Sequence, residues 1–152
     1  MLFRSRVLVR PPAIIGAGET SVWNTLRPAE IGAEESQRHV VPDATFAWVH
    51  VDDLATLAVD AATGVLPESG AGSSAESGPV EGGCTAINVA GEPATQRHYY
   101  EAVTGALGLD PVWDDAPAWS GRFSADRAHA WGWTPTVGLA QAMAEIDAGL
   151  RS

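Results

Sequence analysis

Between Thr45 and Val51 the chain reads Thr-Phe-Ala-Trp-Val-His-Val. Aromatic and β-branched side chains dominate it, a composition that suits a pleated, buried strand. Asp52 and Asp53 follow at once, and Leu54, Leu57, Ala58 and Ala61 then fall at helical spacing. A strand that turns directly into a helix opened by carboxylates is a compact α/β unit, because acidic side chains complement the positive helix start. Any fold open to this chain has to bury that strand and that helix together.

The rest of the sequence repeats the alternation. Arg6–Arg10 reads as a short strand that must stop at Pro11-Pro12, since proline cannot donate to a ladder. Ala13-Ile14-Ile15 leads into the loop Gly16-Ala17-Gly18, and Thr20 or Ser21 is placed to cap a helix through Val22, Trp23 and Leu26. The polar stretch Gly32 to Gln37 reads as surface loop. Residues 67–83 are Gly, Ser, Glu and Pro with hardly an apolar side chain, which predicts a flexible insert. Cys84–Ala90 reads as a further strand and Pro111-Val112-Trp113 as a short one. Thr95 opens a helix whose apolar face is Tyr99, Ala102, Val103, Ala106 and Leu107, stopped by Gly108. Two more helices are expected over 124–131 and 138–150. Strands alternating with helices define an α/β class, and 1–152 is expected to be a single partial domain.

Composition removes several functions. The chain has 152 residues and a formal net charge of −10, and its nine basic residues are all arginine. An acidic chain without clustered cations is a poor partner for nucleic acid, so none is expected. No run of about 18 apolar residues occurs, so no membrane span is expected. The single Cys84 allows no internal disulfide, which fits the reducing cytoplasm.

Candidate sites compete with plainer readings. Gly16-Ala17-Gly18-Glu19-Thr20-Ser21 sits between strand and helix as a dinucleotide loop would, but Ser21 stands where the third glycine is needed. A simple glycine turn therefore takes precedence. His50, Asp52 and Asp53 are close in sequence, yet the strand end and the helix start aim them apart, so capping is preferred to metal binding. His39, His98 and His129 lack the spacing of a zinc helix, and no metal or catalytic residue is assigned. Cys84 reads as a small core residue, Tyr99 as core, and Tyr100 as surface or groove. Trp113 and Trp119, flanked by proline and acidic residues, are the tryptophans best placed to line a groove.

Four segments, in order, resemble one family. They are Val7 to Gly18, the run Phe46-Ala47-Trp48-Val49-His50-Val51-Asp52-Asp53-Leu54-Ala55, Ala86 to Gly91, and Trp131-Gly132-Trp133-Thr134-Pro135. Together they look like the C-terminal half of an extended short-chain dehydrogenase/reductase of the NAD-dependent epimerase/dehydratase-like group. The resemblance implies late Rossmann strands plus a small substrate-binding domain, with the Gly-rich N-terminal half absent. It implies NAD or NADP as cofactor in full-length relatives. Their chemistry uses a Tyr-x-x-x-Lys pair, the lysine lowering the tyrosine pKa. A chain without lysine cannot supply that pair.

By the same resemblance, the backbone of Pro12, Ala13 and Ile14 approaches the nicotinamide carboxamide, and Gly18 through Trp23 begins the substrate-facing segment. Asp53 matches a structural acid. Nucleotide-sugar epimerases of this group often carry an arginine that contacts a diphosphate; Phe46 stands there instead, which points to a less anionic substrate. The expected function is the substrate-binding half of an NAD(P)-dependent epimerase/dehydratase/reductase-like protein, not redox-active alone. Gly18, Trp23 and Trp119 would face a small-molecule substrate, and an N-terminal half or a second copy would cover exposed sheet edges. The alternative is a non-catalytic interaction or small-ligand module using Trp23, Trp48, Trp113 and Trp119.

Overall fold

The computed structural model describes residues 6–19, 21–63, 79 and 83–152. The insert expected over 67–83 and the candidate cap Thr20 therefore lie outside the described residues, Pro79 and Gly83 apart.

Three parallel strand pairs organise the chain. β1 (Arg6–Arg10) pairs with β5 (Cys84–Asn88), with Leu8 opposite Ala86. The diproline ends β1 as expected, but Ala13–Ile15 resumes as β2 and pairs with β4 (Trp48–His50) instead. Pro11-Pro12 is thus the point at which the chain leaves one strand pair for the next, because two consecutive residues without an N–H cannot sustain a ladder. β3 (His39–Val40) pairs with β6 (Val112–Trp113).

The helices are α1 (Leu26–Ala33), α2 (Val51–Thr63), α3 (Gln96–Leu107), α4 (Asp126–Ala130) and α5 (Leu139–Arg151). α3 matches its sequence reading. The Thr95 N–H donates to His98 Nδ1 at 3.1 Å, and Gly108 ends the helix at φ 68°, a conformation open to glycine at no steric cost. α1 starts later than expected. Ser21 donates to the Ile14 carbonyl at 2.5 Å and Asn24 takes both backbone groups of Gly16, so the expected cap is tied back to the strand and residues 21–25 form a turn. The stretch taken for loop from Gly32 is the end of α1 followed by a short 3-10 helix, Glu35–Arg38.

The predicted strand Thr45–Val51 shrinks to Trp48–His50, all three residues buried. Successive side chains of a strand point to opposite faces. Trp48 accordingly enters one core with Ile15, Phe46, Tyr99 and Ile146, while Val49 enters a second with Leu57, Ile87, Ala128 and Trp131. A strand covered on both faces reads as an unbroken apolar run, which is why its signal was strong. Tyr100, which reads as surface or groove, is only 4% exposed because α1 covers it and Arg27 donates to its hydroxyl at 2.7 Å. Cys84, read as core, is exposed at the start of β5.

β1 leaves one edge open. The Arg6 N–H donates to Gly83 O at 2.8 Å and the Arg10 carbonyl accepts from Val89 N–H at 3.4 Å. Alternate residues of a parallel strand address one neighbour, so Val7 and Val9 direct their backbone groups away from β5, where no strand lies among the described residues. The far side of β5 is met by α4, with the Arg127 guanidinium donating to Ala86 O at 2.7 Å. Leu8, on the β1 surface, is 51% exposed. Among the described residues no helix is long and apolar enough to cross a membrane.

Candidate functional site

Four of the six residues singled out for ligand contact line one cavity. Pro12, Ile14, Gly18 and Trp23 surround a space of about 340 Å³, closed by Ser21, Val22 and Val51 among others. Ala13 is absent from that lining: its side chain packs toward the Trp48 core, and its N–H donates to Ala47 O at 3.2 Å. Strand alternation accounts for this, since Pro12 and Ile14 share a face and Ala13 takes the other. Trp23 is held edge-on by Phe46 and Tyr99 at centroid distances of 5.5 and 5.4 Å. The Tyr99 hydroxyl donates to the Trp23 carbonyl at 2.6 Å, and burial raises the Tyr99 pKa far above its ordinary value, keeping the phenol protonated. Gly16 is required by proximity, because a Cβ there would come 2.5 Å from Val51 Cγ1.

Trp119 lies apart from these residues. Its ring is 59% exposed and packs on Gly121, where an added Cβ would sit 2.5 Å from the indole nitrogen. Trp113 borders a shallow acidic space with Asp43, Asp114 and Asp115, and the Arg97 guanidinium lies 4.9 Å from its ring centroid.

A larger cavity, about 490 Å³, was not foreseen. It opens between the approach to β4, the Ala90–Thr95 segment and the loop leading to α4, with Phe46, Trp48, Pro93, Ala94 and Phe123 as apolar walls. Its parts come from three distant stretches, and the sequence signal available was Gly91, where a Cβ would lie 2.7 Å from the Trp48 ring.

Of the group His50, Asp52 and Asp53, only Asp53 turns away; His50 Nδ1 stays 3.6 Å from an Asp52 carboxylate oxygen, and the caps differ from expectation. His50, rather than a carboxylate, accepts the Asp52 N–H at 3.1 Å on Nδ1 and so caps α2, while its Nε2 meets Glu145 at 2.7 Å. Burial works to raise the Glu145 pKa, but hydrogen bonds from Gln141 and His50 outweigh it and hold the carboxyl below its ordinary value. Asp53 turns across to accept from Thr136 and Val137. Among the described residues no group of three or more His, Cys, Asp or Glu is placed to hold a metal.

The sequence matches no family model and no curated protein. Solved structures do match. RMD from Pseudomonas aeruginosa, complexed with NADPH, aligns at TM-score 0.57 and 18% identity over 95% of this chain and 47% of its own. The UDP-glucose 4-epimerase of Thermus thermophilus, in complex with NAD, aligns at 0.55 and 20% over 97% and 47%. That of Thermotoga maritima, with UDP-glucose, aligns at 0.55 and 16% over 97% and 46%. The likeness is one of fold. The chain spans about half the length of the structures it matches.

The smaller cavity is shaped as a slot. Pro12, Ile14, Gly16 and Val51 offer a mainly apolar slot for a flat ring. That lining contains no arginine, and the Gly16 backbone is already bonded to Asn24, so a pyrophosphate finds no cradle there.

Proposed function

We propose that this chain is the substrate-binding half of an NAD(P)-dependent epimerase/dehydratase/reductase-like protein and that it is not redox-active alone. The observation that carries this reading is the extent of the fold match: 95% of the chain lies on less than half of an NADPH-bound structure. A bound nicotinamide would supply hydride transfer. The chain's own part is to place Pro12 and Ile14 against the ring and to keep water from it with Val22 and Val51. Gly18 and Trp23 would face a small-molecule substrate, while Trp119, apart from that lining, would not share in it. With no lysine, the chain offers no Tyr-x-x-x-Lys pair for proton transfer.

The open β1 edge fits the same reading, since exposed backbone donors and acceptors beside Leu8 invite a further strand. Size-exclusion chromatography with light scattering tests it. The chain by itself is expected to associate, and addition of a nucleotide-binding half in trans to release a defined heterodimer. A stable monomer would favour the second reading, a non-catalytic binding module, to which the exposure of Trp119 (59%) and Trp113 (37%) lends support.

A further inference from the structure

We infer that the larger cavity is a binding site for an uncharged, mainly aromatic small molecule and that it excludes nucleoside diphosphates. Its volume, about 490 Å³, falls within the range of small-molecule pockets. The site is built rather than incidental. Thr45 clamps the loop wall twice, its N–H donating to Trp119 O at 2.9 Å and its hydroxyl to Gly121 O at 2.5 Å. The opposite wall is fixed by Phe46 N–H to Ala94 O at 2.9 Å and by Gly91 N–H to Trp48 O at 2.6 Å. Trp119, outside the cavity, backs the loop wall at Gly121.

Three polar groups of these walls are engaged within the protein. The Trp48 indole N–H donates to Glu92 O at 3.0 Å, Thr45 is spent on the loop, and Thr95 is engaged with His98. The surface left for a ligand is therefore aromatic and aliphatic, with Phe46 and Phe123 available for ring contacts. Charge decides against anions. The lining contains the carboxylates Asp43 and Glu92 and a single arginine, Arg122, which lies 3.5 Å from Asp126 and is largely exposed. A diphosphate needs forked cations brought out of water to meet it. Here it would find one solvated guanidinium and two histidines, His98 and His129, of which His98 is already bonded to Thr95, and no forked cation held out of water. The site gives a ligand chemistry to the substrate-binding role proposed above and rests on that reading.

The test uses N-phenyl-1-naphthylamine, an uncharged aromatic fluorophore, titrated into the chain with and without UDP. Saturable enhancement that UDP does not displace is expected. Phe123→Ala should weaken binding about tenfold by removing an aromatic wall, and Ser120→Trp, on the exposed rim, should block entry without disturbing the core. Val22→Asp, at the smaller cavity, should leave it unchanged. Absence of saturable binding, displacement by UDP, indifference to both cavity variants when their circular dichroism is native, or loss with Val22→Asp alone would each overturn the inference. Failure of the proposed function would show separately, as tight NAD(P)H binding with the fluorophore result intact.

Discussion

The Asp53 carboxylate, 3% exposed at the first turn of α2, accepts both the backbone N–H and the hydroxyl of Thr136, 83 residues away, at 2.9 and 2.7 Å. Val137 N–H donates to its second oxygen at 3.0 Å, and the Trp133 indole donates to the Asp53 carbonyl at 3.0 Å. One acidic residue thus fastens the turn that aims α5. Asp53→Ala should lower stability by about 3 kcal/mol, because buried N–H donors lose a charged acceptor. Asp52→Ala, its exposed neighbour, should stay within about 0.5 kcal/mol of the parent. Urea unfolding of the two variants measures the contrast.

Gly16→Ala should destabilise by about 1–3 kcal/mol, since the new methyl meets Val51 Cγ1 at 2.5 Å. The double variant Gly16→Ala with Val51→Ala should recover most of that loss. A double-mutant cycle reads the coupling, and strict additivity would place the strain elsewhere.

Much of this architecture was legible in the residues themselves. The diproline break, the Thr95 start and the Gly108 stop are local signals, so they survive folding unchanged. The misread elements have tertiary causes. Ser21 looks like a helix cap but spends its hydroxyl on Ile14, and Tyr100 looks peripheral until α1 lies over it. The smaller cavity was readable in outline because Pro12, Ile14, Gly18 and Trp23 are close in the chain. The larger one draws on residues from Asp43 to Pro135, and no spacing rule joins such positions.

Glu145 has its pKa lowered in the folded chain, chiefly against burial and by the hydrogen bonds of Gln141 and His50. A depressed carboxyl stabilises the fold at pH values above its unfolded pKa, ordinarily 4.5, and loses that contribution as pH falls through the folded value. Glu145→Gln should therefore show a shallower loss of stability in acid than the parent. Urea midpoints collected from pH 6 down to about pH 3 make the comparison, and parallel curves would remove Glu145 from the account.

Tyr99 titrates in the opposite sense. Its raised pKa means that the stabilisation is complete below the ordinary tyrosine value of 10.0 and declines as pH climbs through the folded value. Tyr99→Phe should cost about 1 kcal/mol at neutral pH through the lost bond to Trp23, and should be less sensitive to alkali than the parent. Chemical unfolding at pH 7 and in alkali checks both.

The central claim is that this chain carries the substrate-binding part of a nicotinamide-dependent fold and lacks what holds the dinucleotide. Isothermal titration calorimetry of NADH and NADPH into the purified chain tests it most directly. The account predicts no binding of micromolar affinity for either, because the lining of the smaller cavity contains no arginine to meet a pyrophosphate. Saturable micromolar binding of either cofactor to the chain alone would contradict it.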